Sequence, residues 1–198
     1  MKLLRLVCGL LLIGGACLVG RAAYLHAKAE LAGILIARAW EKNIETGDPQ
    51  KPWPWADTYP IARLRIPRLG YDEYVLEDAS ARNLAFGPAR LLSGAAVGES
   101  GNLVIAGHRT SWFRPLEGIA NGDSVQLEWF DARSRSLRQR SYNVTAIRVV
   151  QPEDLMLLAP TESDALTLIT CYPFGPRPTS PQRFVVRATP AEVATALD

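Results

Sequence analysis

"TLITCYPF", Thr167 to Phe174, is a run of β-formers that stops at a cysteine. Ala165 and Leu166 join it upstream, so "DALTLIT" reads as a short strand. Pro173 and Pro176 follow, and the chain leaves the sheet at Cys171. The same punctuation recurs on both sides. "ARLRIP" alternates, with Leu64 and Ile66 on one face and Arg63 and Arg65 on the other, and Pro67 and Gly70 end it. "EYVLE" is a second short strand, and the nearly all-apolar "GNLVIAGH" reads as a buried one. "DSVQLEWF" puts Val125, Leu127 and Trp129 inward. "QRSYNVTAIRVV" is longer, and "RFVVRAT" is the last strand. Helical signals in this region are short, at Ala81 to Phe86 and Pro152 to Leu157. Many short strands separated by turn residues predict an all-β fold, a sandwich or a barrel.

The N-terminus is different. Lys2 and Arg5 precede a stretch from Leu6 to Gly20 that carries no charge. Leu3, Leu4 and Ala22 to Leu25 lengthen it towards the roughly 20 residues that span a hydrocarbon core, with Arg21 able to snorkel. Gly20-Arg21-Ala22 is a poor cleavage site, so residues 1–25 are expected to be an uncleaved membrane helix. The leading cations place its start in the cytoplasm and the body outside. Lys28 to Lys42 reads as a helix with Leu31, Ile34 and Leu35 on one side, a stalk or a cover packed on the domain. "KPWPWADTYP" completes a juxtamembrane segment over 26–58, and its Trp53 and Trp55 are expected to pack on the domain, the membrane interface being the alternative. The main domain then covers 59–190, and 191–198 is a tail.

Composition excludes several classes. The net charge of +2 gives no reason to expect a nucleic-acid partner. Arg133, Arg135, Arg138 and Arg140 are interspersed with serines and a leucine and read as a solvated hairpin tip. Of three cysteines, Cys8 and Cys17 lie in the apolar segment, which argues against a disulfide framework. The chain lacks a CxxC and any His/Cys cluster with metal-ligand spacing, so neither metal nor cofactor is expected.

His26 lies near the apolar segment, leaving one histidine and one cysteine in the body, His108 and Cys171. His108 follows a buried strand at "VIAGH", Cys171 ends another, and Arg183 opens the last. Strand ends are where a rigid sheet can hold a side chain while a loop admits substrate. A thiolate is the reactive form of cysteine, and a neighbouring imidazolium or guanidinium favours it. A histidine can hand a proton to a leaving amine, and an arginine can donate to a developing oxyanion. Together the three residues suit acyl transfer through a thioester. Taken singly, each has a blander reading: a small buried hydrophobe, a loop histidine, a solvated edge arginine.

The motifs resemble those of the sortase family. "TLITC" fits its T-L-x-T-C strand end with Cys171 as nucleophile, "NLVIAGHR" resembles its histidine strand with His108, and "QRFVVRA" its arginine strand with Arg183. With "PIARLRIPRLG", the resemblance covers most of residues 59 to 190 in the family's order. It implies an eight-stranded β-barrel with short helices behind an N-terminal membrane helix. It implies a membrane-anchored cysteine transpeptidase that cleaves an LPXTG-like C-terminal sorting motif of a dedicated target protein. The acyl group would be held as a thioester on Cys171 and passed to an amine nucleophile of the envelope. His108 would act as general acid and base, Arg183 would stabilise the oxyanion, and Thr170 would help to position substrate. The expected location is the inner, cytoplasmic membrane with the domain on the extracytoplasmic, periplasmic side, as in the compact sortases of Gram-negative bacteria.

One departure is the connection "YPFGPRPTSPQ", Tyr172 to Gln182, which is longer than the family's usual one and holds Arg177 as a competing arginine. Arg183 is preferred because "RFVVR" continues as a strand, whereas Pro176 and Pro178 flank Arg177. The runner-up readings are an L,D-transpeptidase, weakened because Ile169-Thr170 stand where that family has His-Gly, and a non-catalytic envelope barrel. Oligomeric state is not legible.

Overall fold

The alternation in "PIARLRI" is realised as β1 (Pro60–Ile66), with Ala62, Leu64 and Ile66 fully buried and the residues between them half-exposed. The computed structural model describes residues 2–175 and 181–191. Among these, seven further strands follow: β2 (Tyr71–Leu76), β3 (Ala89–Arg90), β4 (Asn102–Ala106), β5 (Ser124–Asp131), β6 (Ser136–Val150), β7 (Ala165–Cys171) and β8 (Arg183–Pro190). They form a closed barrel in the order β1-β2-β3-β4-β7-β8-β6-β5, with β5 pairing back onto β1. Closure removes the unpaired edges that an open sheet would present. The expected all-β barrel is therefore present, and short 3-10 turns at Asn83–Ala85 and Leu155–Leu158 occupy the two predicted helical stretches.

The barrel is filled by its inward rows. Leu64, Ile66, Leu103, Ile105, Val125, Leu127, Leu166, Leu168 and Val186 are buried in one continuous core. Each such side chain contributes roughly 1.5–3 kcal/mol relative to exposure. Trp129, expected inward, is only half-buried and packs at the margin of that core. The strand absent from the sequence reading is β3. Its two residues are too few to show a period, and its pairing with Leu76 and with Ala106 and Ile105 identifies it instead.

Strand direction sets where the chemistry collects. β4 and β7 run parallel, Asn102 opposite Ala165 and Ala106 opposite Ile169, so both release the chain at the same end of the barrel. β8 is antiparallel to β7 and starts at that end, with Arg183 directly opposite Cys171. A buried polar cluster ties the two parallel strands lower down: Thr167 Oγ1 donates to Asn102 Oδ1 at 2.7 Å, and Asn102 Nδ2 to the Ala159 carbonyl at 3.1 Å. Ala159 belongs to the β6–β7 connection, so that segment is held to the barrel wall.

The N-terminal segment departs from its expected division. The segments expected as anchor and as separate stalk form one helix, α1 (Lys2–Thr46), because nothing between Leu25 and Lys28 breaks it. Its length and composition are sufficient to cross a membrane. The face it buries is not the Leu31, Ile34, Leu35 face. Ala32, Ile36, Ala39, Trp40 and Asn43 are buried, whereas Leu31 and Ile34 are exposed. Small Ala32 and Ala39 let the backbone approach, and Ile36 packs with Leu76 and Ala89 in a second cluster outside the barrel. Trp40 meets the Tyr74 ring at 6.0 Å, and Asn43 Nδ2 donates to the Pro60 carbonyl at 2.8 Å while its Oδ1 accepts from the Gln50 amide. Trp53 packs edge-on against Phe86 at 5.0 Å, as expected for the linker, but Trp55 stays exposed.

The arginine-rich tip is solvated only in part. Arg133, Arg135 and Arg138 are exposed around the β5–β6 turn. Arg140 pairs with Asp164 and lies over the Trp129 ring at 6.0 Å. Residues 176–180, including Arg177, and residues 192–198 of the tail lie outside the described residues.

Candidate active site

Side chains on β7 alternate between the barrel interior and its outer wall. Leu166 and Leu168 point into the core and Thr170 shares their parity, so Cys171 falls on the outer row with Thr167 and Ile169. Across the β7–β8 ladder this row pairs Thr167 with Arg187, Ile169 with Val185 and Cys171 with Arg183. The thiol is free and half-buried at the top of the row.

The approach of His108 depends on Gly107. The Gly107 amide donates to the Ile169 carbonyl at 3.2 Å, extending the parallel β4–β7 pairing by one step. Its carbonyl accepts from Thr170 Oγ1 at 2.7 Å, inside the protein. A Cβ on Gly107 would lie 2.8 Å from the Phe113 ring, which is itself fully buried. Only glycine allows that approach. Beyond it the His108 carbonyl accepts from the Phe113 amide at 3.0 Å and the Ser111 amide at 3.3 Å, curling the chain into a turn that leaves the imidazole exposed. His108 is thereby fixed beside the end of β7 by backbone bonds on both sides.

Cys171, His108, Arg183 and Thr170 line one cavity of about 320 Å³ on the outer wall of the barrel. The structure brings all four sequence-predicted residues together. The Arg183 guanidinium donates to the Pro181 carbonyl and, at 3.3 Å, to the Gln182 carbonyl. The Tyr172 amide donates to the Gln182 carbonyl at 2.9 Å, pinning the far side of the long connection to the strand that carries the cysteine. Thr170 is buried, and its hydroxyl is engaged with Gly107.

The rest of the cavity was not anticipated from sequence. Leu84 comes from the 3-10 turn at Asn83–Ala85, Leu91 from the segment after β3, and Pro152, Asp154 and Leu158 from the β6–β7 connection. These are isolated apolar or acidic residues in irregular segments, with no period to mark them. Gly107 did carry a signal, since a glycine between a buried strand and a histidine invites the question of close approach. Apolar walls with a thiol, an imidazole and a guanidinium at one end can hold an extended peptide and attack one of its carbonyls.

The Sortase domain family matches residues 64–191, which include every strand from the middle of β1 to β8 and all four site residues. The chain belongs to the sortase family. Sortase D of Bacillus subtilis (strain 168) is 26% identical over 124 residues, 62% of this chain and 60% of that protein. The chain thus spans well under two thirds of the length of that curated sortase. Sortase A from Corynebacterium diphtheriae superposes with a TM-score of 0.60 at 29% identity, covering 72% of this chain and 66% of that one. A Clostridium perfringens Sortase D5 transpeptidase shares the fold, with a TM-score of 0.65 at 19% identity over 82% of this chain and 99% of that one. The barrel is common to this chain and both of these solved structures.

Proposed function

We propose that this sortase is a cysteine transpeptidase acting on a protein that carries an LPXTG-like C-terminal sorting motif. The observation that carries the reading is the meeting of Cys171, His108 and Arg183 in one cavity, from three separated stretches of sequence. The Cys171 thiolate attacks the carbonyl carbon of the motif's threonine, forming a C–S bond and an oxyanion. Arg183 exchanges a bond to its own loop carbonyls for one to that oxyanion or to the adjacent substrate backbone. As the C–N bond breaks, the His108 imidazolium gives its proton to the departing amine. A thioester remains on Cys171. An incoming amine of the envelope then attacks it, His108 takes the amine's proton, and the thiolate leaves. Water in place of the amine gives hydrolysis by the same path.

The apolar half of α1 suits a single-pass anchor in the cytoplasmic membrane, with Lys2 and Arg5 on the cytoplasmic side and the barrel outside. The Cys171–Arg183 connection, longer than the family's usual one, suits a role in choosing one dedicated target. Cleavage of a Thr-Gly sorting peptide by full chain, with Cys171→Ala, His108→Ala and Arg183→Ala beside it, tests the proposal. Wild type should cleave. Cys171→Ala and His108→Ala should fall to background, and Arg183→Ala should lose roughly two to three orders of magnitude in kcat, as for the loss of an oxyanion donor. Equal cleavage by Cys171→Ala would refute it.

A further inference from the structure

α1 buries one face against the barrel and leaves another over a groove. An apolar cavity of about 430 Å³ lies between α1, the Trp-rich linker and the end of the 3-10 turn, formed chiefly by Leu31, Leu35, Trp53, Trp55 and Phe86. Leu31 is 55% and Trp55 78% exposed, so apolar surface faces outward at its mouth. Lys28 and Arg82 stand on its rim, and Arg82 is paired with Asp57 at the surface.

Two observations identify the occupant. The first is continuity with the apolar span. Arg21, Tyr24, Lys28, Leu31 and Leu35 follow one another at alternating spacings of three and four, so they share a helix face. Basic and aromatic residues suited to a headgroup layer thus lie directly below the groove on its own side. The second is height. From Leu25, where the apolar stretch ends, Lys28 is about 4.5 Å and Leu31 about 9 Å along the axis. The headgroup layer outside the hydrocarbon core is roughly 5–8 Å deep on each side. The lower lip of the groove, at Lys28 and Leu31, is therefore at headgroup level in an upright helix. Cations at such a lip favour an anionic surface.

We infer that this groove docks on the headgroup–acyl boundary of an anionic phospholipid bilayer, with Trp55 as the inserted side chain. The inference rests on reading α1 as a membrane anchor. The barrel then lies against the bilayer instead of standing above it on a stalk. The consequence reaches the candidate active site. Within the turn that begins at Asn83, Asn83 and Phe86 face the groove while Leu84 faces the cavity of Cys171. A docked groove holds the thiol at a fixed, short height above the lipid and selects substrates whose scissile bond lies close to their own membrane segment.

Full chain reconstituted into vesicles of phosphatidylcholine and phosphatidylglycerol tests this, with Trp55→Phe as reference. The fluorescence lost in Trp55→Phe belongs to Trp55. A nitroxide carried near the lipid headgroup should remove most of that component, and aqueous iodide should remove little. Lys28→Glu together with Arg82→Glu should reverse that order. A chain that floats with the vesicles, yet whose Trp55 component yields to iodide and not to the nitroxide, overturns the docking and leaves the anchor intact. A chain that does not float overturns the anchor and the docking with it. Nitroxide quenching that disappears in nanodiscs holding one copy assigns the groove to a second copy of the chain and also overturns the proposal.

Discussion

The Cys171 side chain is half-buried, and a side chain–backbone bond between Thr170 and Gly107 braces its neighbourhood. The Thr170 hydroxyl, one residue from the thiol, donates to the carbonyl one residue before the imidazole. This bond makes Thr170 a candidate for positioning His108 through the backbone, beside the help in positioning substrate that its place in the motif implies. Thr170→Val keeps the volume but leaves the Gly107 carbonyl buried without this donor, at a cost of about 1–3 kcal/mol. Urea melts should show that loss, and kcat should fall more than KM rises. Thr170→Ser keeps a donor and should recover most of both. A direct contact with bound substrate would instead raise KM and leave stability nearly unchanged. Gly107→Ala is the harsher change. Its methyl would meet the fully buried Phe113 ring at 2.8 Å, and overpacking of this kind costs about 1–3 kcal/mol. A melting temperature equal to wild type would show that the ring can retreat.

At the scale of elements, β7 and α1 differ in how much their sequence revealed. β7 was legible because a run of β-formers bounded by prolines has few alternatives, whereas its pairing with β4 and β8 is a property of the folded barrel. α1 was legible as helix and as apolar span, but its buried face was not. Large apolar residues at helical spacing pointed to Leu31, Ile34 and Leu35, whereas the barrel accepts the face with small Ala32 and Ala39 because close backbone approach lets Ile36 and Trp40 reach it. Only the shape of the outer wall decides between such faces. Arg140 shows the same limit: its pairing with Asp164 ties β6 to the far end of the β6–β7 connection, and nothing local in the charge run separates it from its exposed neighbours. If α1 is an integral part of the domain, Trp40→Ala should cost about 3–5 kcal/mol in a melt of the full chain. A cost near zero would make α1 a passive tether.

For the whole molecule, an ion pair outside the cavity ties two loops at the same end of the barrel that gathers the chemistry. Away from the cavity, the buried Asp123 carboxylate accepts from the Arg68 guanidinium, and from the Ala120 amide at 2.8 Å. Arg68 also donates to the Gly118 carbonyl at 2.6 Å, so one ion pair fastens two loops. The Arg68 hydrogen bond, ahead of the Ala120 amide, holds the Asp123 carboxyl below its ordinary value. A carboxyl depressed in the folded state stabilises it above the unfolded value, and that stability is lost as pH falls through the folded value. Asp123→Asn should be less stable than wild type at neutral pH, and the gap should close below about pH 4. A gap that persists unchanged to lower pH would assign the effect to packing. At the cavity itself, motif order disclosed the cysteine, histidine and arginine, but the irregular segments that wall it were silent, since their positions depend on closure of the barrel. The central claim is that Cys171 carries the acyl group. Intact mass of full chain after incubation with peptides varied at every position but Thr-Gly tests it most directly. An acyl adduct should appear on wild type, be released by hydroxylamine, and be absent from Cys171→Ala. An adduct that survives in Cys171→Ala would contradict the account.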